Sequence, residues 1–392
     1  MGSSFGNLCT RVVAAVVWVF VATGFAADAA KPHYLVTNDD VPPRNATSVT
    51  FYTVNANGLL TMKEKVLTGG IGIAGGYFAA NRVNALDSGN AECVYASQAT
   101  SGDVVGIVVR TLTVGGSARG STNDGGRTNG IGLAMNSQYL YASFTDSDTI
   151  GTFQVLPGCK IKFIADLKVV GLQGGVIDGM ALRGDMLVVT YGDGSIESFD
   201  ISAGVPVSNG DEQNSTGSRG GNTYPSGVDI TQDGHYAIFG DTSPLTVVEV
   251  SDISSGKLTP TVVYHLGHGI NSSNILLSPD ETLLYISNNQ GDTINAAFFD
   301  KSNGKLSRGC TSNPLKGYVK DWSYLGALAF EKTTGTGGTV YVAEFGAPSS
   351  IAEIEVKSAN GKCTLTESPK SPVADPNSPG LLSIGAFPPR PF

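Results

Sequence analysis

Charge is scarce in this sequence: Asp, Glu, Lys and Arg make up only 15% of its 392 residues, against about a quarter in an average domain. Helical bundles need Lys and Glu along their exposed faces, so that class is excluded. The basic residues are the fewer, 25 against 34 acids, for a net charge of −9. A nucleic-acid partner would require a basic footprint, and the chain does not supply one. Long apolar runs are missing too. The longest, Val12 to Val21, is about half of the roughly 20 residues that span a bilayer. Arg11 precedes it and Ala22, Gly24, Ala26 and Ala27 follow, the pattern of a signal peptide over residues 1–29 cleaved between Ala26 and Ala30. An uncleaved anchor is the alternative. The expected location is secreted or periplasmic, with no membrane span after cleavage. With Cys9 removed, four cysteines remain, Cys93, Cys159, Cys310 and Cys363. Their spacings fit no zinc pattern, and in an oxidising compartment two bridges would leave three pairings open. No G-x-S-x-G elbow occurs, and no Cys lies near a His.

What the chain does have is glycine, 51 residues, and a repeat. Seven short apolar runs share one pattern: YLVTND at Tyr34, CVYASQ at Cys93, YLYASF at Tyr139, MLVVTY at Met186, YAIFGD at Tyr236, LLYISN at Leu283 and TVYVAE at Thr339. Their starts lie 59, 46, 47, 50, 47 and 56 residues apart, close to the 40–50 residues of a four-stranded propeller blade. A continuous apolar run of this length reads as a strand covered on both faces, as it would be between stacked blades. A second apolar stretch and a hairpin turn come before most runs (IGLAMNSQ, GMALRGD, GVDITQDG, ILLSPDE). An alternating strand follows, and then a glycine turn at Gly58, Gly158, Gly204, Gly256, Gly304 and Gly361. The second unit lacks that glycine and is the least regular.

The pattern predicts an all-β, seven-bladed β-propeller of four-stranded antiparallel blades, one domain over residues 34–387. We name the strands A to D from the axis outward. The chain enters at strand B of its first unit, so the missing strand A is expected from the tail, Pro379 to Ile384, closing the ring and removing an exposed edge. The polar, Gly-rich stretches Gly115–Asn129 and Asp211–Thr223 are expected to be loop insertions. GGIGIAGG, from Gly69, lacks a βαβ context and reads as a turn.

The segments SPDETLLYISNNQGDTI…FFDKSNGKL and TQDGHYAIFGDTSPLTVVEVSDISSGKL resemble the lactonase-family seven-bladed propellers, which include 6-phosphogluconolactonase-type and carboxymuconate-cyclase-type proteins, with YVTN-type repeats close in pattern. The resemblance covers about residues 34 to 386. It implies the propeller fold, Arg and His just before inner strands, and an acid just after strand B. Here the positions before two inner strands read Asn271-Ser272-Ser273-Asn274 and Tyr224-Pro225-Ser226, without Arg or His. The acid is kept as Asp241 and Glu344, and replaced by Asn288 and Asn289 in the sixth unit.

In a propeller the B–C and D–A loops crowd one mouth of the central channel. The residues expected there as ligand-binding are Asp39, Arg127, Asp146, Asp148, Asp193, Tyr224, Asn274, Asn288 and Trp322. Their carboxylates would focus negative potential and suit a cation, an amine or a neutral sugar better than a phosphorylated or polycarboxylate lactone. The plainer reading is that these acids cap turns and strand ends. For proton transfer the candidates are His268, reachable in His265-Leu266-Gly267-His268-Gly269, with Asp241 and Glu344. No cofactor is called for. Calcium is the one ion with a weak signal, from the oxygens of Asp146-Ser147-Asp148 and Asp193, which complete no EF-hand loop. The expectation is a monomeric, exported propeller that binds a small molecule or a protein at an acidic mouth without catalysis. The alternative is a lactonase-type hydrolase.

Overall fold

The structure is a computed structural model that describes residues 32–42, 45–56, 58–73, 81–88, 91–120, 132–215, 227–241, 245–259, 262–268, 272–288, 292–317, 325–330, 337–344, 349–377 and 383–389. The expected signal peptide lies outside them. No described helix is long and apolar enough to cross a membrane.

Seven antiparallel sheets make up the ring, and in six of them the chain enters by the inner strand. Blade 2 runs Val83–Asp87, Glu92–Gln98, Asp103–Val108 and Thr113–Arg119. Blade 3 runs Leu133–Met135, Tyr139–Phe144, Thr149–Leu156 and Lys160–Lys168. Blade 4 runs Ile177–Arg183, Met186–Tyr191, Ser195–Asp200 and Val207–Ser208, with Gln213–Asn214 added beside its third strand. Blade 5 is Gly227–Ile230, Tyr236–Asp241, Leu245–Asp252 and Val262–His268. Blade 6 is Ser272–Leu277, Leu283–Asn288, Thr293–Asp300 and Lys305–Thr311. Blade 7 is Leu325–Phe330, Gly337–Glu344, Ser349–Ala359 and Lys362–Glu367, with Val373–Asp375 added. Blade 1 takes Tyr34–Asn38, Ser48–Val54 and Leu60–Leu67 from the start of the domain and Ile384–Phe387 from its end.

The inner strands touch in an unbroken cycle, from Ile384–Phe387 through blades 2, 3, 4, 5, 6 and 7 and back. The core divides in the same way. Among the described residues seven apolar clusters are found, one at each junction between neighbouring blades. Strand B feeds two junctions at once, because alternate side chains leave opposite faces of a strand. Leu35 packs between blades 7 and 1, and its neighbour Val36 between blades 1 and 2. That is why the seven runs are apolar at nearly every position.

Closure comes from Ile384–Phe387, paired antiparallel with Tyr34–Asn38 in the register Tyr34↔Phe387 to Thr37↔Ile384. The expected closing segment ended where this one begins. Packing fixes the register: Ile384 enters the cluster between blades 7 and 1, and Phe387 the cluster between blades 1 and 2. Gly115–Asn129 also differs from expectation, because its first five residues belong to the outer strand of blade 2. Small residues are required there. A Cβ on Gly115 would sit 2.1 Å from the carbonyl oxygen of Gly158 in blade 3.

All six repeat glycines have positive φ, and blade 2 places Leu112, φ +52°, where the others have glycine. This substitution is what blurs the second repeat. At Gly204, φ +89°, a Cβ would also press within 2.5 Å of the Tyr139 ring of blade 3, and the Tyr141 hydroxyl donates to the Gly204 carbonyl at 2.7 Å. Two disulfides tie neighbouring blades: Cys93–Cys159 joins blades 2 and 3, and Cys310–Cys363 joins blades 6 and 7.

Candidate active site at the channel mouth

The antiparallel order puts the start of every strand A and the end of every strand B at one end of the ring. At that end the strand B hydroxyls hold the inner strands. Ser143 Oγ accepts from the Gly132 amide at 2.8 Å, and Ser287 Oγ accepts from the Asn274 amide at 3.0 Å. In blade 4, Thr190 Oγ1 donates to the Gly179 carbonyl at 3.4 Å. The inner strands of blades 2 to 6 line a cavity of about 170 Å³, with Asn81, Asn84, Arg183, Asp229 and Asn274 among polar residues on its wall.

The acids after strand B turn away from this cavity, toward strand C. Asp193 accepts from the Ser195 hydroxyl at 2.6 Å and the Ser195 amide at 2.9 Å through Oδ1, and from the Gln173 and Gly175 amides at 2.7 and 3.0 Å through Oδ2. Burial by itself would raise this carboxyl, but the hydrogen bonds outweigh it and hold it below the ordinary value. Asp39 is enclosed by Thr37 and Thr50, each at 2.8 Å, and by Ser48. Burial and the neighbouring Asp375 push it up to about 7. Asn288 donates to Thr293 Oγ1 at 3.0 Å. Glu344 accepts from Ser350 through Oε2.

A second layer covers these locks. The loop entering a blade lays a glycine on them. A Cβ on Gly175 would stand 2.5 Å from Asp193, and one on Gly317 2.0 Å from Glu344 Oε2. At the start of blade 2, Gly70 packs on Gln98 in the same way. The ring of acids expected at the mouth is therefore largely a ring of hairpin locks, with Asp39 and Asp193 fully engaged. Asp193 has no lone pairs to spare for calcium, and Asp146 is exposed in a one-turn 3-10 helix. Asp148 follows it in the left-handed region, φ +52°, half-buried. Among the described residues no group of three His, Cys, Asp or Glu could hold a metal ion.

Glu344 differs from the other locks. It is 1% exposed, its Oε1 accepts no hydrogen bond among the described residues, and burial pushes it up to about 7 against the Ser350 hydrogen bond. Asn274, one of the residues expected at the mouth, lines the cavity. Arg127, Tyr224 and Trp322 lie outside the described residues, as do the side chains of Asp241 and His268. The backbone of Asp241 ends strand B of blade 5. That of His268 ends the outermost strand, opposite Leu245, three strand spacings or roughly 14 Å from strand A.

The sequence reading missed one residue at this end, Asp178. It sits at a bulge in strand A of blade 4, where the pairing jumps from Ile177↔Tyr191 to Gly179↔Thr190. It is fully buried, neither carboxylate oxygen accepts a hydrogen bond among the described residues, and burial pushes it up to about 7. Its only signal in the sequence is an acid inside an otherwise apolar inner strand.

Seven closed blades around a lined channel define a seven-bladed β-propeller with its candidate site at the B–C mouth. A family model described as "Lactonase, 7-bladed beta-propeller" matches residues 94–376, and the chain belongs to that family. Similar solved structures agree on the fold. A candidate 6-phosphogluconolactonase from Bacteroides fragilis is 14% identical, with a TM-score of 0.65 over 91% of this chain and 98% of that one. A protein from Lactobacillus plantarum is 14% identical, with a TM-score of 0.66 over 91% and 100%. A protein of unknown function from Desulfotomaculum acetoxidans is 14% identical, with a TM-score of 0.64 over 92% and 99%. No curated protein matches the chain significantly.

Proposed function

We propose that the chain is an exported lactone hydrolase working at the B–C mouth of the channel on a lactone that carries no phosphate or extra carboxylate. The observation that carries this reading is Glu344. It occupies the acid position that the family resemblance assigns to the site, with one buried oxygen unpaired and a carboxyl pushed up to about 7. A group titrating near neutral pH can take a proton from water as the water attacks the lactone carbonyl. The preference for an uncharged lactone rests on the absence of Arg and His from the two pre-strand segments compared above, and on the pairing of buried Arg82 with Asp40. The two interblade disulfides suit an oxidising compartment.

The second reading is binding at the same mouth without turnover. It is favoured by the engagement of Asp39 and Asp193 in hairpin locks, which leaves few free carboxylates. The test is a pH-stat assay of the purified chain against neutral, phosphorylated and polycarboxylate lactones, with Glu344→Gln as the comparison. The hydrolase reading predicts turnover of a neutral lactone and a drop of about 10²-fold or more in the variant. A flat response to every lactone by folded protein would leave binding alone.

A further inference from the structure

Gly317 lies directly on Glu344. A Cβ at this glycine would stand 2.0 Å from Glu344 Oε2 and 2.7 Å from Ser350 Oγ, so the loop entering blade 7 touches the carboxyl with its backbone. Blade 4 has the same arrangement with a different outcome. Its entering loop lays Gly175 on Asp193, and the Gly175 amide donates to Asp193 Oδ2 at 3.0 Å. Loop and acid there hold each other. In blade 7 the holding bond passes to a second acid. The Lys316 amide, one residue before Gly317, donates to Glu367 Oε2 at 2.9 Å. Glu344 is thus covered without being satisfied, and its Oε1 accepts from no donor among the described residues.

Glu367 is itself fixed in place. It ends strand D of blade 7, and its side chain is 8% exposed. The Ser371 hydroxyl donates to Glu367 Oε1 at 2.8 Å and accepts from the Glu353 amide of strand C at 3.0 Å. The Lys316 ammonium stands 3.9 Å from Glu367 Oε1 and donates to the Ser368 and Ser371 carbonyls at 2.7 and 3.4 Å. Leu315 is buried in the cluster between blades 6 and 7, and its amide donates to the Asp292 carbonyl at 2.8 Å. The loop is therefore pinned at the two residues just before Gly317. Around the Glu344 carboxyl stand Gly317 from this loop, Ser350 from strand C and, within electrostatic reach on strand D, Glu367. On strand A the backbone of Leu325 pairs with Glu344.

We propose that Glu367 is a positioning residue for Glu344: through the Lys316 amide it seats Gly317 on the Glu344 carboxyl and keeps bulk water off it. The inference rests on the hydrolase reading, in which Glu344 takes a proton from the attacking water. A glutamate in bulk water titrates near 4 and is a weak base at neutral pH. Burial under the seat opposes ionisation of Glu344 most strongly, and the like charge of Glu367 adds to it.

The experiment follows the titration of Glu344 in two ways: the pH profile of kcat/KM on a neutral lactone, and the protonated-carboxyl infrared band that Glu344→Gln removes. Both should have a midpoint of about 7 in the parent chain. Glu367→Gln keeps an oxygen for the Lys316 amide and loses the charge, whereas Glu367→Ala loses both. The proposal expects the midpoint to fall by about one unit or more in Glu367→Ala and by less in Glu367→Gln. Gly317→Ala, whose Cβ has no room on Glu344, should give the same fall with Glu367 intact, and it decides the matter if Glu367→Ala does not fold. A merely structural role would lower the melting temperature and leave the midpoint where it was. Unchanged midpoints in the folded variants, or equal falls in both Glu367 variants with none in Gly317→Ala, would overturn the seat and leave the hydrolase reading intact. A parent chain that turned over no lactone would sink the hydrolase reading, and the infrared midpoints would still decide for or against the seat.

Discussion

The hydroxyl of Ser195 donates to Asp193 Oδ1 at 2.6 Å, and this contact explains why an acid follows strand B in this propeller. The carboxylate bridges the first residue of strand C to the loop that enters the blade, through the Gln173 and Gly175 amides. Asp193→Ala should orphan all three backbone amides and cost about 1–3 kcal/mol. Urea unfolding checks this. A variant that kept its stability but lost ligand binding would return Asp193 to the site. Gly175→Ala should be destabilising by a similar amount, because its Cβ has no room beside Asp193.

The pH dependence of stability should run opposite to ordinary acid denaturation near neutrality. Asp39, Asp178 and Glu344 are all pushed up to about 7, whereas in the unfolded chain they titrate near 4. The folded state holds these protons more tightly. Their contribution is therefore complete below about pH 4 and is lost as pH rises through about 7. The melting temperature should climb from pH 8.5 to pH 5.5, and Asp39→Asn should flatten part of that slope. A profile that is flat or falls toward pH 5.5 would refute the assignment.

Much of the fold was legible because the propeller imposes a simple demand on strand B. A strand packed on both faces must be apolar at nearly every position, and seven such runs 46 to 59 residues apart leave little choice of architecture. The glycine turns were legible for a related reason, since φ near +70 to +90° admits few other residues, and Leu112 blurred the only unit without one. The closing segment was found but set several residues early, because only the two flanking clusters choose Ile384 and Phe387. Disulfide pairing depends on which blades are neighbours, so spacing alone left it open. At the mouth, acids after strand B could be seen, but not that Ser or Thr at the start of strand C would engage them. Asp178 was passed over because a single acid in an inner strand has no motif. Only the bulge and its complete burial set it apart.

Each disulfide should contribute measurably to stability. The bridges span 66 and 53 residues of chain, for which loop-closure entropy suggests about 4 kcal/mol apiece. Non-reducing peptide mapping should recover Cys93 with Cys159 and Cys310 with Cys363, and Cys159→Ser should lower the urea midpoint. Any other pairing would contradict the stacking of blade 2 on 3 and of 6 on 7.

Ring closure makes a separate prediction. Phe387 is 1% exposed, and Phe387→Ala should cost about 3–5 kcal/mol. Removing residues 384–392 should unmask the edge of Tyr34–Asn38 and cause self-association, visible as a concentration-dependent sedimentation coefficient. A truncated chain that stayed monomeric and stable would contradict closure by the tail.

The most direct test of the account is a crystal structure of Glu344→Gln soaked with a neutral lactone that the parent chain turns over. The account predicts the lactone at the B–C mouth, within hydrogen-bond reach of position 344. A lactone seated at the opposite end of the channel, or out by the end of the Val262–His268 strand, would contradict it.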